Sequence, residues 1–289
     1  LHLQFAYYES SLVVEYLIEK YGLPILKRIL VDLGVGMSIN QALARYAGSL
    51  DALDREFAEY AIQRAKQFAP QADWSDPNLP ANTSAADLIN WLREHPNNYR
   101  ALRQLASRHF GERAWSEAQT PLKKMIELYP DDGGADSPYL SLAQTYRELA
   151  DGKSERATLE KLAALTADNT EALTRLAELA IVAEDWPALR KYADRLLAIQ
   201  PLRPATYRWL ATAAEHTDDA PAALSAWRAL LALDPIDPAE AHYQLARLLR
   251  KTGDLAAAKR QALMALEEAP RYRAAQRELL AIVREMKSP

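Results

Sequence analysis

The chain reads as all-α, and three observations in its 289 residues carry that expectation. The pair Leu-Ala recurs at Leu105-Ala106, Leu142-Ala143, Leu176-Ala177, Leu210-Ala211, Leu245-Ala246 and Leu280-Ala281, in steps of 37, 34, 34, 35 and 35. A proline stands 24 residues past the alanine at Pro130, Pro201, Pro235 and Pro270, with Ala167 at that place in the remaining complete unit. Glycine occurs only nine times, and few stretches alternate apolar with polar residues as half-buried strands do. A period in this range signals a stacked array of supersecondary units rather than one globular core.

Residues 1–69 do not follow the period. Pro24 suits a helix start, Ser38 to Gln41 has the spacing of a capping box, and Gly34, Gly36 and Gly48 follow apolar helical runs. Four helices are expected, near 5–21, 24–33, 39–47 and 50–69, the last with Leu50, Leu53, Phe57, Tyr60 and Ala61 on one apolar face. Residues 70–83, with Pro70, Pro77 and Pro80 among Asp and Asn, read as a linker. From 84 to 289 the period predicts five helix pairs flanked by lone helices: Thr83–Ser84 caps the first, which ends near Pro96, and 271–286 forms the last.

In three of the five units a second small residue lies 12 positions past the first alanine, at Ala118, Ala223 and Ala258. Leu, small, small and closing Pro in a helix–turn–helix of about 34 residues resembles the tetratricopeptide repeat. That resemblance covers residues 84–289 and implies a right-handed helical solenoid that binds a protein or peptide in its concave groove. Small residues let the two helices of a unit approach, leucines fill the seam, and proline cannot continue the second helix. Two units depart from the pattern: Glu155 and Leu189 stand where the second small residue belongs.

The N-terminal segment carries another resemblance. Tyr7, Ser10, Leu17, Gly22, Gly36, Ala42, Gly48 and the pair Glu56-Phe57 follow the order of the segment downstream of the zinc site in gluzincin metallopeptidases. It implies that residues 1–69 are a remnant of such a domain, and that a longer protein is a zinc peptidase, extracytoplasmic or periplasmic in location. Tyr7 would then be the catalytic tyrosine whose hydroxyl steadies the oxyanion. The chain opens at Leu1 rather than Met, as expected of a segment of a longer protein. The H-E-x-x-H helix is missing: no two of His2, His95, His109, His216 and His242 are four apart, so no metal site and no cofactor is expected within this chain.

The net charge of −4 is evenly spread, with 7 basic and 8 acidic residues in 1–69 and 28 against 31 beyond. Neither part offers the basic field that phosphate backbones require, so nucleic acid is not an expected partner. No run is long and apolar enough to span a membrane. Phosphate-loop, dinucleotide and serine-hydrolase signatures are absent, and Asp131-Asp132 and Asp218-Asp219 read as turn residues.

Counting Leu-Ala as positions 7 and 8 puts positions 2, 5, 9 and 12 of each first helix toward the hollow. These are Arg100, Arg103, Ser107; Gln144, Arg147; Glu171, Thr174, Glu178; Arg208, Thr212, Glu215; and Glu240, Tyr243, Arg247, Arg250. The Lys/Asn set of carboxylate-gripping arrays is missing. Arg100, Arg103, Arg147, Arg208, Tyr243, Arg247 and Arg250 are therefore the candidate partner-binding residues, with an acidic peptide or loop as the partner their guanidinium forks would suit.

Overall fold

The computed structural model describes residues 2–287, with side chains from Ala6 onward, and all its regular elements are α-helices. The chain divides into two compact units, Leu1–Asp73 and Trp74–Pro289.

The first unit holds α1 (His2–Tyr21), α2 (Pro24–Gly34), α3 (Ile39–Ala47) and α4 (Leu50–Gln67). Gly22 ends α1 with φ +79°, a left-handed conformation that glycine adopts without cost, and Pro24 opens α2. The expected capping box forms at α3: Gln41 N–H donates to Ser38 Oγ at 3.4 Å, and Ser38 N–H donates to Gln41 Oε1 at 3.2 Å. Tyr16, Leu17, Ile25, Ile29, Ala42 and Leu53 make the core. Beside it the Tyr16 ring meets Phe57 at 5.9 Å, and its hydroxyl donates to Glu56 Oε2 at 2.9 Å.

The second unit begins with α5 (Ala85–Glu94), capped by Ser84, whose Oγ accepts from Asp87 N–H at 3.1 Å. Five pairs follow: α6 (Tyr99–Gly111) with α7 (Trp115–Leu128), α8 (Pro138–Glu148) with α9 (Gly152–Leu165), α10 (Thr170–Val182) with α11 (Trp186–Ile199), α12 (Pro204–His216) with α13 (Ala220–Ala232), and α14 (Pro238–Lys251) with α15 (Leu255–Glu268). A lone α16 (Arg273–Lys287) ends it. Every helix from α5 to α16 packs against its neighbours in chain order, as a solenoid requires.

The proline-containing stretch before α5 lies along α6. The Trp74 ring packs against that of Tyr99 at 4.6 Å, tilted by 35°, Asn98 Nδ2 donates to the Ser75 carbonyl at 3.1 Å, and Gln104 Nε2 donates to that of Pro80 at 2.7 Å. These contacts attach the segment to the array.

The same turn closes all five pairs. A left-handed residue, Arg113, Ala150, Glu184, Asp218 or Gly253, ends the first helix. The next N–H then reaches back five residues, from Ala114 to His109, Asp151 to Tyr146, Asp185 to Ala180, Asp219 to Ala214 and Asp254 to Leu249, at 2.8–3.0 Å. This is the Schellman arrangement, which satisfies carbonyls orphaned at the helix end. In four of the turns the following residue is aspartate, and its carboxylate caps the second helix.

Between the helices, Ala118, Ala177, Ala211, Ala223, Ala246 and Ala258 are buried, with Leu176, Leu196, Leu230 and Leu245 filling the seam. Ala167 stands where proline was expected, yet α9 ends at Leu165, in register with its equivalents. Asn169 caps the following helix there, accepting from Ala172 N–H at 2.9 Å. The sixth Leu-Ala pair departs from the others. Leu280 is 58% exposed, and α16 buries Ala275, Glu278 and Ile282 instead. Within the described residues no second helix of a pair follows α16 to cover that leucine.

Candidate functional site

Positions counted from the repeat converge in two depressions on the first-helix side of the array. One, of about 350 Å³, is lined by Arg147, Glu171, Thr174 and Glu178 together with Arg175 and Arg203. The other, of about 330 Å³, is lined by Arg208, Thr212, Glu215 and Glu240 with His216 and Gln244. A third, of about 650 Å³, opens between the start of α14 and the α15–α16 turn, bounded by Asp237, Glu240, Arg271 and Tyr272. Arg100, Arg103, Tyr243, Arg247 and Arg250 line none of the three.

Most of the candidate arginines face carboxylates of their own chain. Arg247 pairs with Glu215 of the preceding unit and donates to Gln244 Oε1 at 2.9 Å. Arg250 pairs with Glu278 at 2.6 Å and Glu285 at 2.8 Å on α16. Those two carboxylates raise the Arg250 guanidinium's affinity for its proton, Glu278 foremost. Arg100 lies 3.6 Å from Asp76, an exposed contact. Arg103 sits over the Tyr99 ring at 5.6 Å, while Arg208 has no carboxylate partner among the described residues. Tyr243 packs edge-on to Tyr272 at 5.2 Å, and burial pushes its hydroxyl up from its ordinary range.

Arg147 belongs to a cluster that single-helix counting did not foresee. Glu155, the residue that replaces the second small position, is 2% exposed in the first turn of α9. Arg175 of the next unit holds it through both oxygens, Nε to Oε1 at 2.7 Å and Nη2 to Oε2 at 3.2 Å. Arg147 reaches the same carboxylate only at 3.7 Å. Arg175 also binds Glu178 at 3.0 Å. A paired carboxylate thus takes the place of a methyl group where two repeats meet, and the helix N-terminus adds to its stabilisation.

Arg203 escaped the sequence reading because it lies in the turn before α12, outside the helix positions that were counted. The only signal was its place two residues after the closing Pro201.

In the first unit Tyr7 is 71% exposed on α1. No group of three or more His, Asp or Glu side chains among the described residues is placed to hold a metal ion. These residues therefore do not fit a zinc centre by themselves. Among the described residues no helix is long and apolar enough to cross a membrane.

No protein-family model matches the chain, and no curated protein matches it. Solved structures do. One is described as YrrB, a TPR protein with an unusual peptide-binding site, with TM-score 0.52 and 15% identity over 67% of this chain and 98% of that one. Another is the complex of Naa15/Naa10 bound to HypK-THB, with TM-score 0.56 and 12% identity over 70% of this chain and 31% of that one. At such identities the likeness speaks for architecture alone: the helix pairs α6–α15, with their lone flanking helices, form a helical solenoid of the tetratricopeptide type.

Proposed function

We propose that the array is a protein-interaction module that receives an extended peptide or loop of a partner protein along its first-helix side. The observation that carries this reading is the convergence of residues at positions 2, 5, 9 and 12 of adjacent repeats into two separate depressions lined by polar and apolar side chains together, while most leucines and alanines of the repeat pattern are buried in the core. YrrB is described as having a peptide-binding site; that is a property of YrrB, and it accords with the reading. A partner with acidic side chains suits Arg103 and Arg208, which have no carboxylate partner among the described residues, whereas Arg247 and Arg250 serve the array itself.

Photo-crosslinking tests this. A benzophenone side chain in place of Thr174 or Thr212 should yield partner adducts in cell extract, and one in place of Lys161 or Lys259, exposed on second helices, should not. Arg208→Glu should reduce the Thr212 adduct. Adducts confined to the second-helix positions would remove the proposal.

A further inference from the structure

We infer that the depression between α8, α10 and the turn before α12 is a receiving site for one carboxylate side chain, Asp or Glu, of a bound peptide, with Arg203 as its principal donor and Arg147 as its second. The inference rests on the proposed peptide-binding role and assigns its chemistry to a place.

Three guanidiniums and three carboxylates, those of Glu155, Glu171 and Glu178, line the depression, so its net charge is near zero, but the geometry leaves two of the guanidiniums without a close carboxylate contact. Glu155 is satisfied through both oxygens by Arg175, which also holds Glu178. Arg147, 44% exposed and 3.7 Å from Glu155, gains little there and is able to turn toward a ligand. Arg203 has no carboxylate partner among the described residues. Its Nη1 donates to Thr174 Oγ1 at 2.7 Å, and its guanidinium lies over the Trp209 ring at 5.3 Å. Those two contacts hold the plane of the fork in place, with Nε and Nη2 making no hydrogen bond among the described residues. A fork held this way loses little side-chain freedom when a carboxylate docks, and it matches that group bidentately. Exposed Glu171 on the rim adds like-charge repulsion against a second acid, which favours a single carboxylate over an acidic run.

The test is a selection with random linear dodecapeptides displayed on phage against the full chain, followed by fluorescence anisotropy on the enriched peptides. Wild type should enrich peptides with Asp or Glu at one fixed register. Arg203→Gln should then weaken binding about ten- to a hundredfold, the loss of one charge-assisted bidentate contact. Arg203→Lys should recover part of it, and Arg147→Gln should give a smaller loss. If Arg203→Gln loses helical signal, Arg147→Gln carries the test alone, because its present contact is long. Enriched peptides without an acidic register, or peptides indifferent to both substitutions, would overturn this inference and leave the peptide-binding reading standing. Failure to enrich any peptide would overturn both.

Discussion

The carboxylate of Glu155 and the guanidinium of Arg175 make one pair, yet removing each partner should have unequal consequences. Glu155 is 2% exposed while Arg175 is 27% exposed. Arg175→Ala therefore strands a buried carboxylate with only Arg147 nearby, at 3.7 Å. An unsatisfied buried charge costs about 3–5 kcal/mol, and the residual help from Arg147 brings the expected loss to about 2–4 kcal/mol. Glu155→Ala leaves a guanidinium that turns to water and to Glu178, and it restores the small side chain typical of the repeat. Its expected cost is about 0–1 kcal/mol. The double variant should recover most of the Arg175→Ala loss, a coupling of about 2 kcal/mol in a double-mutant cycle. Urea unfolding followed by helical circular dichroism reads all four proteins. If Glu155→Ala destabilised as much as Arg175→Ala, or if the double variant were no better than Arg175→Ala, burial would not be what ranks the two.

Leu196→Ala, at a fully buried seam position, should cost about 2–5 kcal/mol in urea unfolding, because the helix pair closes only partly around the cavity. Ala150→Gly should stabilise the array by about 0.5–1 kcal/mol in the same assay, since Ala150 sits at φ +58° in its Schellman turn while the equivalent Gly253 bears no such strain. Acid should loosen the junctions between repeats. The Arg156 hydrogen bond lowers Asp185 and the Arg190 hydrogen bond lowers Asp219 from the ordinary carboxylate range. Groups shifted down in the fold contribute stability above the unfolded value near ~3.9 and lose it as pH falls through the folded value. The urea midpoint should drop below about pH 4, and Asp185→Asn with Asp219→Asn should flatten that slope.

The amino-acid sequence alone sets whatever a single helix pair requires. Leu176, Ala177 and Ala223 repeat because two helices must touch, and Asp254 recurs with its equivalents because a helix start needs an acceptor. Spacing along one helix likewise placed Arg147, Thr174, Arg208 and Thr212 on one side of the array. Tertiary structure alone decided which of those side chains remain available. Arg247 meets Glu215 and Arg250 meets Glu278 only because neighbouring repeats stack, bringing together residues 32 and 28 positions apart. It also decided that Glu155 is buried against Arg175, that Leu280 is exposed on α16, and that Arg203, in a turn without periodicity, enters the depression. A repeat written along the chain specifies its own hairpin, but charge neutralisation and solvent exclusion between hairpins depend on separations in space that no local pattern encodes.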